Sequence, residues 1–248
     1  MRIGGFMYII FLILFLGYFA IISFIDVRYV NKAKNMVITE KLRIKNYREG
    51  IILNWIPALA VFLICLINSI SLNNIGLRQL NFEYNIWFNI ILLVVIGGYF
   101  VLVVYQVISY FISPEYRKKA KEQLDTESEK NHYNAVMNNL ALPRTKNEKL
   151  HFFGVSLTAG ISEEIVFRGF LFFVLQNILP NLPMIIIPLI TCAIFGVLHI
   201  YQGIYGIIKT SIAGILLGYL YLVTGSIIPG IIIHFLLDFS AAFVLSDE

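Results

Sequence analysis

The chain has 248 residues, 58% of them hydrophobic and 14% charged, with a mean hydropathy of +0.79. Soluble domains carry about 25% charged and about 45–50% apolar residues, so a soluble enzyme, a disordered chain and a nucleic-acid-binding domain are excluded as first readings. The net charge of +4 does not restore nucleic acid as a partner. The basic residues gather in two polar stretches between apolar runs, where anionic membrane lipids account for them.

Crossing a bilayer takes about 20 apolar residues in a helix. Runs at residues 4–25, 50–72, 86–112, 152–178, 182–199, 204–224 and 226–246 predict an all-α, polytopic membrane helical bundle of about seven transmembrane helices. The first run reads as a retained anchor, because it is long for a signal-peptide core and no small-x-small cleavage site follows it. Residues 113–149 form the only substantial polar stretch, and its KKAKEQLDTESEK run reads as a solvated helix. This stretch separates an N-terminal three-helix membrane region, 1–112, from a C-terminal unit, 150–248, whose four runs are joined by very short connections. Cys65 and Cys192 lie inside apolar runs and point to neither a disulfide nor a metal knuckle. Gly214 and Gly218 form a GxxxG pair that permits close helix approach.

Orientation follows from Lys and Arg. Between residues 26 and 49 lie Arg28, Lys32, Lys34, Lys41, Arg43, Lys45 and Arg48. The 113–149 stretch adds Arg117, Lys118, Lys119, Lys121, Lys130, Arg144, Lys146 and Lys149, whereas the opposite side has Arg2 and Arg78. Both polar stretches are therefore expected in the cytoplasm, with the N-terminus of this multi-pass cell-membrane protein outside and the C-terminus inside.

A charge at the centre of a spanning helix costs roughly 2.5–3.5 kcal/mol, so the ionisable residues of the C-terminal unit need a reason. The fourth run contains AGISEEIVFRGF. Glu164 and Arg168 are four apart and can pair on one face, while Glu163 points about 100° away. The fifth run ends in FGVLH, with Phe195 and His199 four apart, and the seventh contains HFLLD, with His234 and Asp238 four apart. Each ridge alone has a structural explanation, as a salt bridge or a packing histidine. Together they favour turning inward around one hydrated cavity. At 1.5 Å per residue, Glu163 and Asp238 each lie about 12 Å from the cytoplasmic edge.

A carboxylate and an imidazole converging on water make a general base, and a second histidine can donate to a developing oxyanion. On this reading Glu163 and His199 activate water. His234 and Asp238 bind or polarise a scissile carbonyl, and Glu164, Arg168 and Phe195 support the site. Ser162 has no base beside it. Zinc is a second possibility, with Glu163, His199 and His234 as ligands and a fourth position for water, although nothing has HExxH spacing. The cofactor is therefore none or zinc.

EEIVFR fits EExxxR, FGVLH fits FxxxH and HFLLD fits H-x-x-x-Asn/Asp. In this order on successive apolar segments they resemble the CPBP family of CAAX prenyl proteases and bacteriocin-processing enzymes, also called the Abi family. The resemblance covers roughly residues 140–245. It implies a helical intramembrane endopeptidase in which Glu163 and His199 activate water and His234 with Asp238 builds the oxyanion site. Prenyl-processing members carry Asn at the last position; an ionised Asp accepts rather than donates hydrogen bonds. That departure, with an Ile-, Asn- and Lys-rich composition suggestive of a bacterium, points to exported peptides, leader sequences or membrane-protein segments as substrates. Two other readings compete: a non-catalytic bacteriocin self-immunity or membrane regulatory protein, and, less favoured, an ion-coupled transporter, which the lack of inverted repeats opposes. The oligomeric state stays open.

Overall fold

The computed structural model describes residues 5–82, 86–130 and 132–243. Arg2, the start of the first expected run at residue 4, and residues 244–246 of the last run lie outside the described residues. The described residues form helices joined by short connections, with no strand among them. Helices α1 (Gly5–Ala33), α2 (Glu40–Ile67) and α3 (Ile86–Ile112) form the N-terminal region. The polar stretch folds into α4 (Pro114–Lys130) and α5 (His132–Ala141). The C-terminal unit holds α6 (Lys146–Glu163), a π-helical segment (Glu164–Leu171), α7 (Phe172–Ile178), α8 (Ile187–Leu198), α9 (Gly203–Thr224) and α10 (Ile228–Ser240).

The seven runs all become apolar helical segments, but they are not seven equal spans. Phe6–Ala33, Glu40–Ile67, Asn89–Tyr110 and Ile200–Thr224 are long and apolar enough to cross a membrane, while Met184–Leu198 and Ile228–Ser240 are shorter. The fourth run is broken by the π-helical segment. Hydropathy reports the length of an apolar run, not where its hydrogen-bond register changes.

That segment is the hub of the core. All of its residues are buried, and the main apolar cluster gathers around Ile165, Val166, Phe167, Phe170 and Leu171 with residues of α1, α2, α7 and α8. Helix α1 lays Phe15 edge-on against Phe167 at 5.7 Å and Phe11 at 6.3 Å from Phe170, measured between ring centroids. The first helix thus packs on the segment that carries the charged residues.

Small residues set how close the helices come. A Cβ on Gly214 would lie 3.1 Å from the Cys192 Cβ, and one on Gly218 3.0 Å from the Pro188 Cβ. The GxxxG pair is therefore the contact surface of α9 on α8. Gly160 plays the same part where α6 crosses α10: its Cβ would meet the Phe235 nitrogen at 3.0 Å and the Ile231 oxygen at 3.1 Å. Pro229 falls in the first turn of α10, where its missing N–H has no helical partner to lose.

The polar stretch does more than face solvent. Val136 and Leu140 of α5 form a second apolar cluster with Val30 and Ala33 at the end of α1. Nearby, Thr145 and Glu148 cap α6 reciprocally. Glu148 is fully buried, accepts from the Arg144 and Thr145 backbone N–H groups, and takes the Arg43 guanidinium at 2.7 Å. Burial pushes its carboxyl up, but those backbone donors and Arg43 outweigh burial and hold it below the usual carboxylate range.

Candidate active site

Three ridges expected from sequence meet through His234. Glu164 and Arg168 pair at 2.7 Å, one turn apart, with 0% and 1% of their side chains exposed. The same Glu164 oxygen, Oε1, also accepts from His234 Nδ1 at 2.9 Å. From the other side of the ring, His234 Nε2 lies 3.8 Å from Glu163 Oε2 and 3.6 Å from Asp238 Oδ2. Glu163 thus faces His234 rather than the Glu164–Arg168 pair, in a different direction from Glu164, as adjacent helical positions do. Adjacent glutamates at the α-to-π transition reach opposite nitrogens of one imidazole. Both glutamates keep α-helical dihedrals (φ −71°, ψ −34° and φ −67°, ψ −42°), and the π-helical segment, with its i to i+5 hydrogen bonding, starts only at the second of them.

Helix α10 can approach this closely because residue 230 has no side chain. A Cβ there would come within 2.8 Å of Glu164 Oε2, a buried atom with no hydrogen-bond partner among the described residues. The second face of Glu164 is thus pressed against bare backbone. Arg168 is fixed from two further directions, by the Gly214 carbonyl at 3.4 Å and by the Phe195 ring, whose centroid is 4.6 Å from its guanidinium carbon. Phe195 also stands edge-on to His234 at 6.1 Å and tilted against His199 at 4.4 Å. Phe195 therefore spans both histidines and the arginine.

His199 is the C-cap of α8 (φ −93°, ψ 20°), in the sparsely used bridge region where many active-site residues sit. Its Nδ1 meets the Phe195 carbonyl at 2.7 Å. A carbonyl only accepts, so Nδ1 carries the proton and Nε2 offers a lone pair. Glu163 and His199 are linked through His234 and Phe195 and do not hydrogen-bond to each other. Exposure rises along the site from His234 (9%) through Glu163 (13%) to Asp238 (41%), so the Asp238 side is the most open. This is the end of the bundle where α5 packs, since Tyr133 hydrogen-bonds the Tyr201 carbonyl just beyond His199.

Zinc would require Glu163, His199 and His234 to converge on one ion. Among the described residues no group of three or more His, Cys, Asp and Glu side chains is placed to hold a metal.

Sequence reasoning missed three features. The TKNE capping box at 145–148 was visible as Thr-x-x-Glu and marks where α6 begins. The burial of Arg43 against Glu148 had no signal, since the partners are 105 positions apart. The part played by α1 and α5 around His199 also had none, beyond a lone serine, Ser23, in an apolar run.

Residues 145–240 match the family described as Rce1-like, Type II CAAX prenyl endopeptidase Rce1-like. The match runs from the N-cap of α6 to the last residue of α10, and so contains Glu163, Glu164, Arg168, His199, His234 and Asp238. No curated protein and no solved structure matches the chain. The match supports a CAAX-protease-like intramembrane endopeptidase, and with the apolar helices it makes the chain a multi-pass membrane protein.

Proposed function

From a C-terminal unit of the type II CAAX prenyl endopeptidase, or CPBP, family, we propose that the protein cleaves membrane-associated peptides or protein segments with water activated by Glu163 and His199. The observation that carries this reading is the His234 ring, flanked at both nitrogens by carboxylates, beside a second histidine, His199, whose Nδ1 is held by the Phe195 carbonyl. Water between Glu163 and His199 gives a proton to this pair, and its oxygen attacks the scissile carbonyl carbon. Both His234 nitrogens face acceptors, which suits a doubly protonated ring whose Nε2–H turns to the oxyanion. Collapse breaks the C–N bond, and the proton held by the pair passes to the leaving amine. Glu164 and Arg168 fix the ring, and Asp238 guides it from the water-accessible side.

The polar helices α4 and α5 lie in the cytoplasm on this reading, by the distribution of Lys and Arg, and the site opens on that side. Substrates are exported peptides, leader sequences or membrane-protein segments, approached from the cytoplasmic half of the bilayer.

Peptide termini compared in cells expressing the wild type, Glu163→Gln and His199→Ala at matched levels test the proposal. Products confined to the wild type are expected and identify the substrate. Identical termini in all three, with the wild-type phenotype retained, would leave the constellation structural and move the immunity or regulatory reading to first place.

A further inference from the structure

We propose that Ser23 of α1 and Tyr133 of α5 are positioning residues for His199, gripping the turn that carries it from both sides. The inference rests on the reading of His199 as half of the water-activating pair. Leu198 is the last residue of α8, and the final carbonyls of a helix have no partner within it. The Ser23 hydroxyl donates to the Leu198 carbonyl at 2.5 Å, and the Tyr133 hydroxyl donates to the Tyr201 carbonyl at 2.5 Å. These bonds fall one residue before His199 and two after it. They come from elements 175 and 68 positions away in sequence.

The turn between the two grips is tight. Gln202 N–H closes it on the His199 carbonyl at 2.9 Å, and it ends at Gly203, whose φ of +77° lies in the region that favours glycine. The Tyr133 ring covers that glycine, 3.7 Å from where a Cβ would stand. Without outside partners such a turn belongs to the part of a helix that frays. A serine in an apolar helix ordinarily returns its hydroxyl to its own i−4 carbonyl. Ser23, which is buried, reaches across to α8 instead. The N-terminal helix and the polar stretch thus meet at the backbone on either side of His199, and the first helix serves as part of the frame of the site rather than as an anchor alone.

The test uses the full chain in detergent micelles or nanodiscs, with its four histidines labelled with nitrogen-15 and His199 assigned by loss of its signal in His199→Ala. Ser23→Ala and Tyr133→Phe remove one hydroxyl each; Ser23→Thr keeps it. Both deletions are expected to move the His199 ring signal and leave His151 in place. Peptide turnover should fall about tenfold, the scale of one lost hydrogen bond, with KM unchanged, and Ser23→Thr should restore signal and turnover together. A His199 signal unmoved in both folded deletion variants overturns the grip, whatever the turnover does. A shifted signal in a chain whose wild type cleaves nothing upholds the grip and removes the protease reading.

Discussion

Arg168→Met should test the ion network at its most enclosed point. Arg168 is almost wholly buried and pairs with Glu164 at 2.7 Å, with a further contact to the Gly214 carbonyl and its guanidinium over Phe195. Methionine fills much of the same space but leaves Glu164 with His234 as its sole charged partner. Breaking a buried pair by removing one member costs about 3–5 kcal/mol, because the surviving charge keeps its desolvation cost. For a chain of 150–250 residues each kcal/mol shifts Tm by roughly 2–4 °C, so thermal unfolding in detergent, followed by circular dichroism, should fall by roughly 6–20 °C. Adding Glu164→Gln removes the stranded charge while its carbonyl oxygen still accepts from His234. The double variant should therefore recover most of the loss. A single variant that melts within about 2 °C of wild type, or a double variant that melts below the single, would refute the view that Glu164 and Arg168 hold the site as a desolvated pair.

Gly230→Ala should drive a methyl against Glu164 Oε2, whose other oxygen is fixed by Arg168 and His234; overpacking of this kind costs about 1–3 kcal/mol, and cleavage assays should show turnover falling with it. Glu148→Gln should flatten the acid limb of stability. Because the folded carboxyl is held below its ordinary value of 4.5, its contribution is present above that pH and is lost as the pH falls through the folded value. Melting of the wild type from pH 7 downward should therefore drop below pH 4.5 more steeply than melting of the variant. Chelators should leave turnover of the purified enzyme unchanged if glutamate and histidine alone activate water; loss that zinc restores would return Glu163, His199 and His234 to the role of ligands.

Much of the layout was legible in sequence because lipid imposes strong rules. Apolar runs marked every hydrophobic helix, the GxxxG pair marked the contact of α8 with α9, and four-residue spacing anticipated the bond between Glu164 and Arg168. Spacing was silent on what lay beyond the pair. The 100° rule sent Glu163 away from the Glu164–Arg168 pair, as found, but it could not name His234 as the group that both carboxylates approach. Tertiary partners such as Ser23 with Leu198 or Arg43 with Glu148 left no periodic trace, since each is a single meeting of distant segments. Sequence also gave His199 and Asp238 a depth without the reason for it.

On the proposed orientation that depth follows from helix length. At 1.5 Å per residue, α8 with 12 residues and α10 with 13 reach only about 18–20 Å, whereas the hydrocarbon layer is about 30 Å thick. If both begin at the outer surface, their α-helical turns reach roughly 10 Å short of the inner one, and His199 and Asp238 lie in or just past their last turns. In that placement the membrane around them would be in hydrophobic mismatch, which a bilayer relieves by thinning or by letting water in. On the proposed reading acyl-chain length then becomes a control on cleavage: thinner bilayers would bring cytoplasmic water down to Asp238, and thicker ones would seal it off.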